Sequence, residues 1–202
     1  MTTGKAFAQA DPPCASATRA ASEGGVPSLA PPGTVTGRTM ILYVGSGDRT
    51  TSGYVHVDQV RSYETQRTTA GALLNPDFET LPISCCDLQD IPDWTGLGNA
   101  GGVVADTNAT PGGSYALAIW WHLNFVGQTW PATPGVRYAS GAKLMTPVSN
   151  PLTTTSDARG IVINEYLDAT GTNVLLSYLS SPFLAAATTF TGIGTMCTTS
   201  RI

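Results

Sequence analysis

Leu73-Leu74-Asn75-Pro76-Asp77-Phe78-Glu79, followed by Trp94 in Pro92-Asp93-Trp94-Thr95-Gly96, is the stretch from which the fold is read. An apolar pair runs into a turn-prone Asn-Pro, then into an aromatic ring between two carboxylates, and a lone Trp follows after a loop. A second phrase, Val57-Asp58-Gln59-Val60, stands upstream of the first. Outward from both, short apolar runs alternate with turns, which is the pattern of an all-β chain.

The composition agrees. Only 12% of the 202 residues are charged, while 22 are Gly and 14 are Pro, a balance that suits short strands joined by many turns. The length holds one sandwich-sized domain or parts of two, and one is the simpler reading. A net charge of -4, with 10 Lys and Arg dispersed along the chain, offers no basic face for a phosphate backbone, so nucleic acid is not an expected partner. No run approaches the ~18 apolar residues of a spanning helix. Ala6-Phe7-Ala8 is broken by Gln9 and Asp11 before a signal-peptide core forms, so a soluble chain with no visible export signal is expected. Cys14, Cys85, Cys86 and Cys197 lack the Cys-x-x-Cys spacing of a zinc site and read as loop thiols or a single bridge.

Residues 1–33 are rich in Ala, Pro, Ser and Gly and read as disordered or loosely attached. Beyond them Met40, Leu42 and Val44 alternate with Ile41 and Tyr43, so both faces of a strand are apolar, as inside a sandwich. The next strand, Tyr54 to Tyr63, alternates through Val55 and Val57 and changes parity at Val60, which predicts a bulge at Asp58 and Gln59. Residues 64–72 read as a linker, and Thr80 to Gly102 as irregular; Asn108-Ala109-Thr110 has the form of a glycosylation acceptor. Ser114 to His122 is a clear strand with Tyr115, Leu117, Ile119 and Trp121 on one face and Trp120 on the other. Tyr138, Ser140, Ala142 and Leu144 share a face of another strand, and Asp157 to Tyr166 forms one more, closed by the turn Asp168 to Thr172 into Asn173 to Leu179. Phe183 to Phe190 is a short strand or helical turn, and residues 191–202 are an irregular tail.

The two opening phrases resemble those of jelly-roll carbohydrate-binding modules of the galactose-binding-like kind, which commonly begin Asn-x-x-Phe-Glu, place a core Trp soon after, and close on Val-Asp-x-Val. Gln128 through Pro134-Gly135-Val136-Arg137-Tyr138 is similar to the family's Gln…Pro-Gly-x-x-Tyr phrase, and Asp168 to Gly171 to its Tyr-Asp-x-x-Gly hairpin. The likeness spans residues 34–190, but in rotated order: residues 34–63 match the family's last two strands, and residues 73–190 the remainder. It implies an all-β jelly-roll β-sandwich with residues 73–79 as the opening strand and Trp94 as core. Either the chain joins the tail of one tandem module to the head of the next, or the tail closes a circularly permuted sandwich. The second is preferred, because a sandwich lacking two strands would expose its core and an unpaired edge. The same strands exchanged between two chains would give a dimer.

The family often holds a structural calcium ion near its first and last strands, and the matching carboxylates are Glu79 and Asp58, with Asp77 beside them. Calcium takes six to eight hard oxygen ligands, and solvated strand-end acids are the plain alternative. Sugars stack their C–H faces on aromatic rings and offer hydroxyls to polar partners. Trp120, His122 and Trp130 belong to the densest aromatic group, and strand parity makes Trp120 the ligand-facing ring. Asn164 and Tyr166 share a face that, if open, would bond hydroxyls and stack; a core Tyr with a polar neighbour is the alternative. Catalysis has little support: Glu79 and Glu165 are the only nominees for a glycosidase pair, and no Gly-x-Ser-x-Gly elbow or His-Glu-x-x-His run occurs. The expected role is a noncatalytic module that binds a polysaccharide or cell-surface glycan within a larger extracellular or virion assembly, beside neighbouring domains. The rival is a structural module such as those resembled in phage minor tail proteins, and a glycan-cleaving enzyme ranks third.

Overall fold

The computed structural model describes residues 27–45, 53–64, 73–80, 88–97, 100–106, 113–120, 123–152, 158–179 and 191–194. Eleven strands are found among them: β1 (Ser28–Leu29), β2 (Thr36–Val44), β3 (Tyr54–Glu64), β4 (Thr95–Leu97), β5 (Gly101–Ala105), β6 (Tyr115–Trp120), β7 (Asn124–Pro131), β8 (Arg137–Met145), β9 (Arg159–Leu167), β10 (Val174–Leu179) and β11 (Thr191–Gly194). One turn of 3-10 helix, Leu88–Asp90, is the sole helical element described. The strands form two antiparallel sheets. The first runs β1-β8-β3-β6-β5, with β11 also on β8; the second runs β10-β9-β2-β7-β4.

Strand alternation explains how the sheets meet. Val55 and Val57 of β3, Leu117 and Ile119 of β6, and Ala142 and Leu144 of β8 form one core with Ile41 and Tyr43 of β2, Val126 of β7 and Val162 of β9. The chain is therefore a β-sandwich. Residues 36–64 are central to it: β2 lies between β7 and β9, and β3 between β6 and β8. The predicted bulge is present. The β3–β8 register shifts between Asp58 and Arg61, and Gln59 takes a positive φ of 47°. Val57 and Val60 consequently both point into the core, at 0% exposure, with Asp58 and Gln59 between them. The turn after β9 is also as predicted, with Gly171 at φ 71° and Asp168 accepting from Thr170 and Asn173.

Three expectations are corrected. Residues 73–79 form a turn-rich segment instead of an opening strand. Asn75 and Phe78 both have positive φ, and the Asn75 side chain holds Thr80 N and Pro92 O, so the chain is committed to a loop. That loop still builds core: Phe78 is fully buried against Trp94, with ring centroids 5.2 Å apart, and Trp94 Nε1 donates to Asn75 O. Second, residues 28–30 are built into the sandwich, since Ser28 and Leu29 pair with Tyr138 and Arg137 and Ala30 is 1% exposed. Third, residues 191–194 continue the sheet pattern by pairing with residues 141–144 of β8. Expectations for residues 1–26, 65–72, 183–190 and 195–202, for all four cysteines and for Asn108 lie outside the described residues.

Candidate functional site

The outer face of the first sheet carries a pair of adjoining aromatics, Tyr54 and Trp120. Because Val55 and Val57 point inward, Tyr54, His56 and Asp58 of β3 point outward. On β6 the same parity turns Ile119 inward and Trp120 outward. Tyr54 lies directly opposite Trp120 in the β3–β6 register, and the two rings stack with centroids 5.0 Å apart and planes at 31°. Both are half-buried, so each ring keeps some exposed surface.

His56 is next on this face. It stands between Ala118 of β6 and Met145 of β8. On the far side of Ala118 is Gly102 of β5, and both of these small residues are buried. Asp106, just after β5, reaches His56, and its Oδ2 is 2.5 Å from His56 Nδ1. Both residues are buried. A carboxylate only accepts, so Nδ1 bears the proton.

Trp120 thus stands where strand parity placed it. Trp121 and His122 lie outside the described residues. Trp130, Asn164 and Tyr166 are interior residues, which corrects the expectation of a sugar-facing role for them. Trp130 is 4% exposed and the other two are fully buried. Their polar atoms are turned onto one another and onto neighbours. Trp130 Nε1 donates to Thr39 Oγ1, which is linked through Ser140 to Ser62; Tyr166 OH donates to Ser28 O, and Asn164 Nδ2 to Ser28 Oγ. Burial pushes the Tyr166 hydroxyl far above the ordinary phenol range. This is a structural polar seam that ties β1 and both sheets together. It is incompletely satisfied, for Asn164 Oδ1 is shielded from solvent without a partner.

The three carboxylates nominated for calcium gather around the bulge. Val60 N donates to Pro76 O at 2.9 Å, bringing the Asn-Pro-Asp-Phe-Glu loop against the Val-Asp-x-Val strand. Burial raises the Asp77 carboxyl above the ordinary carboxylate range, and the negative charges of Asp58 and Glu79 add to that against an opposing Arg61. Glu79 Oε1 accepts from the amides of Ser114 and Tyr115, and Asp58 Oδ1 from Gln59 N. Among the described residues no group of three or more His, Cys, Asp or Glu side chains is arranged to hold a metal ion. The site thus offers at most carboxylate oxygens completed by backbone carbonyls. Glu165 is ion-paired to Arg38 on the outer face of the second sheet, whereas Glu79 serves the start of β6 in the first, so these two acids are held on different sheets.

Tyr54, His56 and Asp106 were not singled out by sequence reasoning. The alternation that made Val55 and Val57 core already put Tyr54 and His56 on the opposite face. Asp106 carried no such signal, because its partner is 50 residues away. Comparison of the chain with family models, curated proteins and solved structures finds no match.

Proposed function

We propose that this chain is a noncatalytic carbohydrate-binding module that takes a polysaccharide or cell-surface glycan on the outer face of its first sheet. The observation that carries this reading is the Trp120–Tyr54 ring pair, partly exposed on the outer face of the sheet. Two adjoining rings on a rigid sheet offer a pyranose C–H face an apolar platform with little ordering cost. The test is retention of the purified chain on a panel of soluble and insoluble polysaccharides. Binding to one glycan that falls at least about tenfold with Trp120→Ala, roughly the loss of one well-packed aromatic contact, is the expected result. Equal binding by Trp120→Ala would remove the platform from this face.

The proposed fold type is a galactose-binding-like jelly roll with rotated strand order. Two observations support the rotation. The Val60–Pro76 hydrogen bond joins the closing phrase to the opening one. Further, β11 and β1 lie along the same side of β8, Gly194 opposite Gly141 and Ser28 opposite Tyr138, both antiparallel to it. They are two halves of one edge lane. Calcium is proposed at Asp77, Asp58 and Glu79, where a cation would relieve the charge crowding that raises Asp77. The proposed setting is an extracellular or virion-surface assembly with neighbouring domains.

The deep burial of Phe78, Trp94, Trp130, Tyr138 and Tyr166 favours a second reading, a structural module of a phage tail or surface protein that spaces other parts. A cooperatively melting chain that is retained on no glycan would select it.

A further inference from the structure

We propose that His56 is the directional hydrogen-bond acceptor of the Trp120 platform, its Nε2 taking a hydroxyl proton from the stacked pyranoside, and that Asp106 is the positioning residue that makes it an acceptor. This rests on the glycan-binding reading above and specifies the chemistry of the same site.

Tyr54 and His56 are two residues apart on one face of β3, and Trp120 is the cross-strand partner of Tyr54. His56 is therefore the diagonal neighbour of Trp120, within about 8 Å backbone to backbone, a span that a large side chain bridges. A sugar ring lying on the indole has its rim at the imidazole. The residue opposite His56 on β6 is Ala118 and the next one across is Gly102; both are small and both are buried, so the imidazole, 9% exposed, is what this part of the face presents.

The Asp106 bond selects one tautomer of the ring: with Nδ1–H committed to Asp106, the neutral imidazole carries its lone pair on Nε2. The solvent-excluded side-chain nitrogens and oxygens without a partner are Arg159 Nε, Asn164 Oδ1 and Ser177 Oγ among the described residues; His56 Nε2 is not one of them. The His56 side chain keeps a small exposure of 11%. The pair crosses the sheet from β3 to the end of β5, so the ring is held by two strands, and its bond to Asp106 is buried. Charged groups on this face of the neighbouring strands are Asp58 and, past the bulge, Arg61 of β3, Lys143 and Arg137 of β8, and Asp106 itself. The nearest of them to Nε2 is thus a carboxylate, which disfavours a uronate and favours a neutral sugar hydroxyl.

The test has two arms. In the first, nitrogen-15 spectra of the imidazole read the tautomer without any ligand: wild type should show Nδ1–H, and Asp106→Asn, whose amide donates to Nδ1, should show Nε2–H. In the second, affinity for the retained glycan should fall about tenfold in Asp106→Asn, the worth of one hydrogen bond, while its melting temperature and Trp fluorescence stay near wild type. If Asp106→Asn does not fold, deoxy and deoxyfluoro glycosides on the wild-type protein ask the same question. At one sugar position both must lose about tenfold, because fluorine accepts but cannot donate. A wild-type ring with Nε2–H, unchanged glycan affinity in Asp106→Asn, or full binding of every fluoro sugar overturns the role of His56 alone. Absence of glycan retention by wild type overturns the platform reading, and this proposal with it.

Discussion

Asp77 shows how a single residue separates the electrostatics of the loop from its fold. Its carboxyl is raised first by burial and then by Asp58 and Glu79, so the native state binds the proton more tightly than the unfolded chain does. Stability contributed by the protonated form is therefore present at low pH. It is lost as pH rises from the ordinary carboxylate value through the raised native one, and is flat above that. Asp77→Asn removes the charge and keeps the shape. In chelator at neutral pH it should melt higher than wild type, by about one or two degrees since the group is largely solvated, and the difference should vanish near pH 3. Calcium at millimolar concentration reverses the order if the proposed site binds it, because wild type then gains stability that the Asn variant cannot. Thermal melts over pH, with and without calcium, check both signs; a variant that melts lower than wild type in chelator would show that the crowding is already compensated.

At the scale of the element, the sandwich depends on a few close approaches that composition conceals. Gly37 of β2 lies beneath Trp130, and a Cβ there would stand 2.3 Å from two indole carbons. The indole cannot retreat: Nε1 is bonded to Thr39, and its ring packs on Tyr138 at 4.7 Å and on Tyr166 at 6.4 Å. Gly37→Ala is expected to cost about 3 kcal/mol, the upper end for overpacking, and to lower the melting temperature by roughly 6–12 °C. Gly171→Ala is the control. Its Cβ would meet nothing, so it should cost only about 1 kcal/mol for a positive φ. What the sequence made legible follows the same division. Alternation located β2, β3, β6 and β8, and a change of parity located the bulge, because each is a local consequence of facing a core, while the turn at residues 168–172 marked off β9 and β10 on either side of it. The opening phrase misled about its element. Its turn residues, Asn75-Pro76-Asp77, decide the backbone, while Phe78 is buried from a loop conformation that no period-two pattern announces. The interior fate of Asn164 and Tyr166 was equally hidden, since a polar face on a strand reads the same whether it meets water or a buried Ser28. The site divided in the same way, with Trp120 legible from parity and the long-range His56–Asp106 contact not.

For the whole molecule, the decisive question is whether residues 27–64 and 73–194 are parts of one cooperative unit. In the second sheet β2 is hydrogen-bonded to β7 and β9 along nearly its whole length, and in the first β3 joins β8 to β6. Removing residues 1–64 would strip Ile41, Tyr43, Val55, Val57 and Val60 from the core and leave four strands with newly unpaired edges. Each of those five side chains contributes about 1.5–3 kcal/mol by burial, so their loss exceeds the ~5–15 kcal/mol by which a domain of this size is stable at the lower end of both ranges. A chain of residues 65–202 should accordingly show no cooperative melt and should bind hydrophobic dyes. The shared lane on β8 supplies the rescue. Gly194 and Ser28 face residues of β8 three positions apart, about 10 Å along the strand, so two or three inserted residues would join them without bending either. A rearranged chain running from residue 73 to 194, through that short insert, and on from 28 to 64 should melt as one transition and keep the Trp120–Tyr54 stack. Circular dichroism and calorimetry on the two chains decide the matter. A cooperative melt from residues 65–202 alone would mean that the central strands are an addition to an already complete sandwich. Rescue by the rearranged order alone would mean that the rotation is one of connectivity, with the core unchanged.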